Sequence, residues 1–290
     1  MNMKNTVLVT GATGNIGSRV VKELSKSHIN IRAGVHSPDR IEPIKDSSAE
    51  LVEIDFNRRE TVPPALKGVE KLFILTPLVP NMVEIGIQLV EEAKKAGVRY
   101  IVRSSALGAD TEPSITLGEW HGAIDKAVVE SGIPYTILRP NSFMQNYSNM
   151  YARNLKTQSE FYLPLGDGKV SLVDTRDIAA VAAAILTKGG HDNKIYELTG
   201  PEAISNYRIA EIFSNVLGRS ITYVDASDDD TRKGMKNAGV PDWFINAVME
   251  LYGIQKAGYG AVVTPVIEEI TGEKPINFEQ FVRDYSKIFS

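Results

Sequence analysis

Short apolar runs alternate with amphipathic stretches through the first half of the chain. TVLVT (6–10), INIRAGV (29–35), ELVEI (50–54), KLFIL (71–75), RYIV (99–102) and YTIL (135–138) read as strands. The stretches between them read as helices. The clearest is NMVEIGIQLVEEAKKAGV (81–98), where Val83, Ile87, Val90 and Ala93 recur at helical spacing and Gly97 supplies the stop. Repeated β–α–β–α of this kind predicts a parallel sheet with helices on both faces. Right-handed crossovers make that sheet doubly wound, an α/β Rossmann arrangement.

After Pro140 the pattern changes. Residues 142–154 read as a helix, and FYLPLGDGKVSLVDTRDIAAVAAAILT (161–187) as a short strand, a Gly-rich turn and an Ala-rich buried helix. KIYELTG (194–200) and ITYVDA (221–226) read as strands. SNYRIAEIFSNVLG (205–218) is a helix capped by Ser205 and closed by Gly218, and the remainder is helical. The expected organisation is a dinucleotide-binding Rossmann domain over 1–140, completed by about 170–200. A smaller α/β substrate lobe is expected from 141–169 and 201–290. The segment from Val170 to Leu198 is expected to return to the main sheet.

The first strand runs into TGATGNIG (10–17), which places Gly11, Gly14 and Gly17 in G-x-x-G-x-x-G between a strand and a helix. In such a turn one glycine makes the tight bend, one lets backbone approach a phosphate, and one lets helix pack on strand. The N–H groups of Asn15 and Ile16, with the helix dipole behind them, form an anion site, and Thr10 and Thr13 add hydroxyls. An NAD site has a carboxylate at the end of the second strand, about 20 residues past the glycines. Here that strand ends Val35-His36-Ser37-Pro38-Asp39-Arg40. His36, Ser37 and Arg40 suit a 2′-phosphate, whereas Asp39 follows a proline and more simply starts a helix. NADPH is therefore the expected cofactor, with NADH as the alternative. Asp55 and Phe56 end the third strand, where the carboxylate can accept the adenine amino group. Thr76-Pro77 ends the fourth strand and Ser104-Ser105 the fifth, at the sheet edge where open α/β sheets bind ligands.

Composition narrows the chemistry. The 290 residues carry a formal net charge of −4, which argues against a nucleic-acid binder. The absence of cysteine excludes disulfides, thiolate nucleophiles and zinc–thiolate sites. DASDDD (225–230) lacks the spacing of a calcium loop, so no metal site is expected. Gly-x-Ser-x-Gly is absent, which leaves no hydrolase elbow. No apolar run approaches the roughly 18–20 residues of a membrane span, and MNMKN leads straight into a strand without a signal peptide. A cytoplasmic monomer or homodimer acting on a small-molecule electron acceptor is expected.

TGATGNIG, the DF at 55–56, the SS at 104–105, SGIPYTILRPNSFMQN (131–146) and VDTRDIA (173–179) together resemble the NmrA-like branch of the atypical short-chain dehydrogenase/reductase superfamily. The resemblance covers nearly the whole chain. That branch includes NADPH-dependent quinone reductases, triphenylmethane reductase, relatives of isoflavone reductase, and regulators that bind NADP(H) without turnover. Ordinary members of the superfamily carry Tyr-x-x-x-Lys on the helix after the fifth strand. Here that helix reads EWHGAIDKAVVESGIPYT and has no tyrosine before Tyr135. The only match to the motif, Tyr252 and Lys256, lies on the wrong element.

By its spacing to Pro134-Tyr135-Thr136, His121 falls where isoflavone-reductase relatives place their active-site lysine, and triphenylmethane-reductase-like proteins are similar in having a histidine there. An imidazole titrating near neutrality can hydrogen-bond a developing oxyanion or donate a proton. Asp125, one helical turn on, is placed either to orient it or to form a solvent-facing pair on the helix surface. Asn141 after the sixth strand reads as a cofactor contact, and Phe143, Met144 and Tyr147 as substrate contacts, with simple packing of the second lobe as the alternative for all four. A ketone needs a strong proton donor, but a quinone or cationic dye does not, because its product anion is delocalised or never forms. The expected function is NAD(P)H-dependent hydride transfer to a quinone-like or other conjugated electrophile, with the cofactor doing the chemistry. The alternative is a non-catalytic NADP(H) sensor acting through a protein partner. A sugar-nucleotide epimerase, a third option, is disfavoured by the missing Tyr-x-x-x-Lys.

Overall fold

A computed structural model describes residues 5–37 and 41–290. All six runs of the first half form strands: β1 (Thr6–Val9), β2 (Asn30–Val35), β3 (Glu50–Glu53), β4 (Lys71–Ile74), β5 (Tyr100–Ser104) and β6 (Tyr135–Pro140). The helices between them are α1 (Gly17–Leu24), α2 (Val62–Leu66), α3 (Met82–Lys95) and α4 (Thr116–Glu130). The sheet order is β3-β2-β1-β4-β5-β6, with the strand Lys194–Leu198 outside β6. Neighbours from β3 to β6 pair in parallel. The order reverses between β1 and β4, which opens a crevice at the carboxyl ends of those strands.

The chain divides into two compact units. The first comprises residues 1–110, 118–139 and 175–197, and the second 111–117, 140–174 and 198–290. In the first, Leu8, Val9, Leu72, Phe73, Ile101 and Val102 have no exposure at all, as expected for strands covered on both faces. The helix Thr175–Lys188 packs against α1. The return to the first unit therefore begins at 175 and not at 170, because Lys169–Val170 pairs antiparallel with Ile204–Ser205 in the second unit.

The buried stripe of α3 is Met82, Ile85, Leu89, Val90 and Ala93. Val83 and Ile87, expected on that stripe, are only half-buried. The apolar run there is broad enough to support two stripes, and close packing selects one: a Cβ on Gly86 would lie 2.6 Å from the Ile124 side chain of α4.

In the second unit, the helix expected over 142–154 is present but begins at Gln145, three residues late. Residues 142–144 pair with the chain at 173, with Val173 N–H donating to Ser142 O and Met144 N–H to Val173 O. These extended bonds delay the helix, which starts at Gln145, passes through a π-helical stretch at Tyr147–Tyr151 and continues as Ala152–Gln158. Ser205 does cap the helix Asn206–Leu217 through Arg208 N–H, and Gly218 closes it in the left-handed conformation. An aromatic core fills this unit. Tyr147 lies edge-on to Phe161 and Phe278 at 5.7 and 5.1 Å between ring centroids, and Phe213 lies edge-on to Phe289 at 4.9 Å.

The junction of β1 and α1 leaves no room for a side chain. A Cβ on Gly17 would sit 2.1 Å from Gly11 O, a contact no rotamer relieves. Gly17→Ala should therefore destabilise the protein by roughly 2 kcal/mol or more, measured as a fall in the urea midpoint at unchanged m.

Candidate functional site

The loop from β1 to α1 assigns a separate demand to each glycine. Gly11 has φ +60°, so it makes the turn. Gly17 allows helix and strand to touch. Gly14 is exposed, and its nearest internal contact for an added Cβ is Gly11 O at 3.3 Å. Nothing inside the fold strictly forbids a side chain there. A cradle that a Cβ would partly fill is what a backbone-bound phosphate requires. Gly14 N–H turns back to Gly11 O, and the amides of Asn15 and Ile16 follow at the helix N-terminus. Asn15 is exposed and Thr13 half-buried, while the Ile16 side chain is buried, so only its backbone is available. Thr10 is not: its buried hydroxyl bonds Leu75 O and accepts from Leu75 N–H, both at 2.8 Å, tying β1 to β4.

At the ends of β2 and β3, exposed His36 Nε2 lies 3.5 Å from Asp55 Oδ1. Asp55 is buried and well bonded. Asn57 N–H donates to Oδ1 at 2.9 Å, and Arg58 Nε to Oδ2 at 3.1 Å. The Asn57 bond, with Arg58 and His36, outweighs desolvation and holds the carboxyl below its usual range. Phe56 is half-buried beside it. Arg40 lies outside the described residues. Thr76 is half-buried and Pro77 exposed past the end of β4.

Past β5 lies a buried charge cluster. Ser105 Oγ donates to Asp125 Oδ2 at 2.9 Å, and Arg139 reaches the same oxygen from Nε and Nη2 at 3.2 and 3.1 Å. Arg103, with no exposure, places Nε 3.4 Å from Asp125 Oδ1 and donates from Nη1 to Ser104 O at 2.8 Å. The Arg103–Asp125 approach is an ion pair without hydrogen-bond alignment, since both atoms lack a hydrogen-bond partner. Arg103 Nη2 lies 3.3 Å from His121 Nδ1. Asp125 thus engages two arginines and a serine, not His121 as its helical spacing suggests. Burial, reinforced by Arg103, pushes the His121 imidazole down to about 3. Burial likewise lowers Arg103 to about 10, which leaves it charged at neutral pH. His121 is half-buried. It is positioned by Gly122, where a Cβ would meet Ala109 O at 2.1 Å.

Sequence reasoning missed Arg103 and Arg139. The available signal was an arginine inside RYIVRS, a run otherwise fit for a strand covered on both faces, where an unpaired cation is costly.

The residues after β6 are placed differently from expectation. Asn141 is buried, and its amide nitrogen donates to Ser171 Oγ and Gly260 O at 2.8 and 2.9 Å, while its oxygen accepts from Ser142 N–H. It clasps the second unit together and keeps no donor for a cofactor. Met144 and Tyr147 are core residues, with 1% and 5% exposure, and Tyr147 donates to Asn206 Oδ1. Neither presents a surface to a substrate. An amphipathic turn after a strand looks alike in both roles, and packing decides between them. Phe143, half-buried, is the one of the three with surface left. Tyr252 meets Tyr151 hydroxyl to hydroxyl at 3.2 Å within the second unit, as befits a chance motif.

A family model described as the NmrA-like family matches residues 3–282. The chain is 37% identical over 283 residues to an NAD(P)H azoreductase of Xenophilus azovorans, covering 98% of this chain and 99% of that protein. It is similar to the crystal structure of an NADPH-dependent quinone oxidoreductase from Escherichia coli complexed with NADPH. The TM-score there is 0.87 at 28% identity, covering 98% of this chain and 100% of that one. It is also similar to triphenylmethane reductase of Citrobacter sp., with TM-score 0.87, 27% identity, and 97% and 99% of the two chains covered.

Two substitutions separate ligand-facing from structural roles. Gly14→Ala should change stability by less than about 1 kcal/mol yet weaken NADPH binding at least about tenfold in a fluorescence titration. Asn141→Ala should do the reverse. It should cost about 1–3 kcal/mol in denaturant unfolding, because the groups it satisfies are buried, and leave NADPH affinity unchanged.

Proposed function

The chain belongs to the NmrA-like family, and we propose that it is an NAD(P)H-dependent reductase delivering hydride to a quinone-like or other conjugated electrophile. NADPH is the proposed donor and NADH the alternative. Gly11, Thr13, Gly14, Asn15, Ile16 and Gly17 would hold the pyrophosphate. His36 and Arg40 would take the 2′-phosphate, Asp55 and Phe56 the adenine, and Thr76, Pro77, Ser104 and Ser105 the edge of the cleft. When bound, the nicotinamide supplies the hydride.

The observation that carries this reading is the state of His121. The helix after β5 offers a neutral imidazole and no tyrosine. A neutral imidazole donates a hydrogen bond but is a poor acid. It suits an acceptor whose added charge spreads over a conjugated system, as in a quinone. It does not suit a simple ketone, whose alkoxide demands a proton at once. His121 would therefore hydrogen-bond the acceptor heteroatom as charge builds on it, while the surrounding residues orient the reactants.

Turnover follows NADPH absorbance with a panel of quinones, azo compounds and cationic dyes. Saturable oxidation with a conjugated acceptor is expected, and none with simple ketones. Tight NADPH binding with no oxidation of any acceptor would overturn the reading in favour of a cofactor sensor. His121→Ala should lower kcat/KM for the acceptor by about 100-fold and change the dissociation constant for NADPH by less than about threefold.

The imidazole also sets a pH signature. Folded His121 protonates near 3, while in the unfolded chain it protonates at the ordinary value of 6.5. Between these limits the unfolded state binds the extra proton, so stability falls as pH falls from about 6.5 toward about 3. Urea unfolding at stepped pH should show this slope, and His121→Asn should flatten it. Activity should show no His121 protonation limb between pH 5.5 and 8.

A further inference from the structure

The reductase reading needs His121 to present a proton, but it does not say which ring nitrogen carries it or what decides that. We infer that Arg103 is a positioning residue that fixes His121 as the Nε2–H tautomer, an inference that rests on the reductase reading for its role in turnover.

The geometry is one-sided. A guanidinium has five donors and no acceptor. Its Nη2 lies 3.3 Å from His121 Nδ1, a distance at which a favourable contact needs a lone pair on the imidazole nitrogen. Nδ1 is therefore the unprotonated nitrogen, and the ring proton sits on Nε2. The same Nη2 lies 3.5 Å from His121 O, so one group braces both ring and backbone of the residue. Protonating the ring would point an N–H at a cation, which keeps the imidazole neutral. A cation against Nδ1 also withdraws charge from the ring and makes Nε2–H a stronger donor.

Arg103 is held for this task from every side. It has no exposure, so it neither moves into solvent nor exchanges partners. Nη1 is bonded to Ser104 O, and Nε faces Asp125 Oδ1. Asp125 is itself pinned by Ser105 and Arg139, and Arg139 is pinned at its other end by Asp110. The charged groups around the histidine are thus Arg103 from β5, Asp125 from α4, Arg139 from β6 and Asp110 from the loop past β5. Of these, Arg103 is the one that touches the ring. The two buried arginines face the buried carboxylate of Asp125 and, through Arg139, the exposed carboxylate of Asp110, so each guanidinium has a counter-charge beside it.

The direct test is nitrogen-15 NMR of the histidine side chains in the wild-type protein, with and without NADPH. There are four histidines, and His121 is assigned by the signal lost in His121→Asn. A pyridine-type Nδ1 and a pyrrole-type Nε2, unchanged from pH 5.5 to 8, is the expected result. A pyrrole-type Nδ1, an averaged pair, or titration in that range would overturn the inference. Turnover is not needed for this readout, so it stands apart from the reductase assay.

Two variants then probe the cause. Arg103→Met should release the tautomer preference and lower kcat for a quinone at least about tenfold, with the KM for NADPH moved less than about threefold. Arg103→Lys keeps a donor that cannot accept, and should retain both the Nε2–H signature and most of kcat. A folded Arg103→Met protein with an unchanged tautomer would overturn the inference. If that variant does not fold, the lysine variant and the wild-type spectrum decide alone: loss of the signature in Arg103→Lys counts against Arg103.

Discussion

A guanidinium shut off from water must find every acceptor it needs inside the protein. Arg103, in the centre of the sheet with no exposure, imposes that condition on everything past β5. The carbonyl of Ser104 and the imidazole and carbonyl of His121 supply acceptors, while Asp125 faces Nε as a counter-charge without hydrogen-bond alignment. Burial pushes the Asp125 carboxyl up, and Arg103, Ser105 and Arg139 oppose that shift. The place of α4, the state of its histidine and the end of β6 are therefore parts of one arrangement. Replacing any member changes what the others must satisfy.

The Gly-rich loop is governed by sterics, not charge. Three glycines at equal spacing look equivalent, but their causes differ. Gly11 answers to backbone conformation and Gly17 to helix–strand contact, whereas exposed Gly14 has only Gly11 O, at 3.3 Å, near an added Cβ. The first two are requirements of folding; the third carries no comparable demand from within the fold. A site that relies on backbone amides can thus be rigid without ligand, since its shape is set by the junction beneath it.

The second unit shows the converse lesson. Asn141 and Tyr147 carry the polar groups expected of ligand contacts, and each has its hydrogen-bonding capacity engaged by protein instead. Buried polar atoms are almost always paired, and a residue whose donors are already paired is poorly placed to bind a ligand. Asp55 stands between the two cases. Its bonds to Asn57 and Arg58 orient it, and it remains at the end of its strand next to the exposed His36.

The six strands, the turn that opens α1 and the cap and stop of the helix Asn206–Leu217 were legible in the chain. Each depends on periodicity or sterics over a few residues. The stripe of α3, the start of the helix after Asn141 and the true neighbours of His121 and Asp125 were not. Those depend on partners far away in sequence: Arg103 lies 18 residues before His121, and Asn141 meets Gly260 across 119. The amino-acid sequence by itself determined a doubly wound α/β unit with a Gly-rich turn between β1 and α1, and a helix after β5 that carries a histidine and no tyrosine. Only the tertiary structure decided that this histidine is neutral, which of its nitrogens faces a cation, and which polar residues are clasps. Local propensity acts along the chain, whereas the pairing of buried charges and donors is settled only when packing closes them off from water.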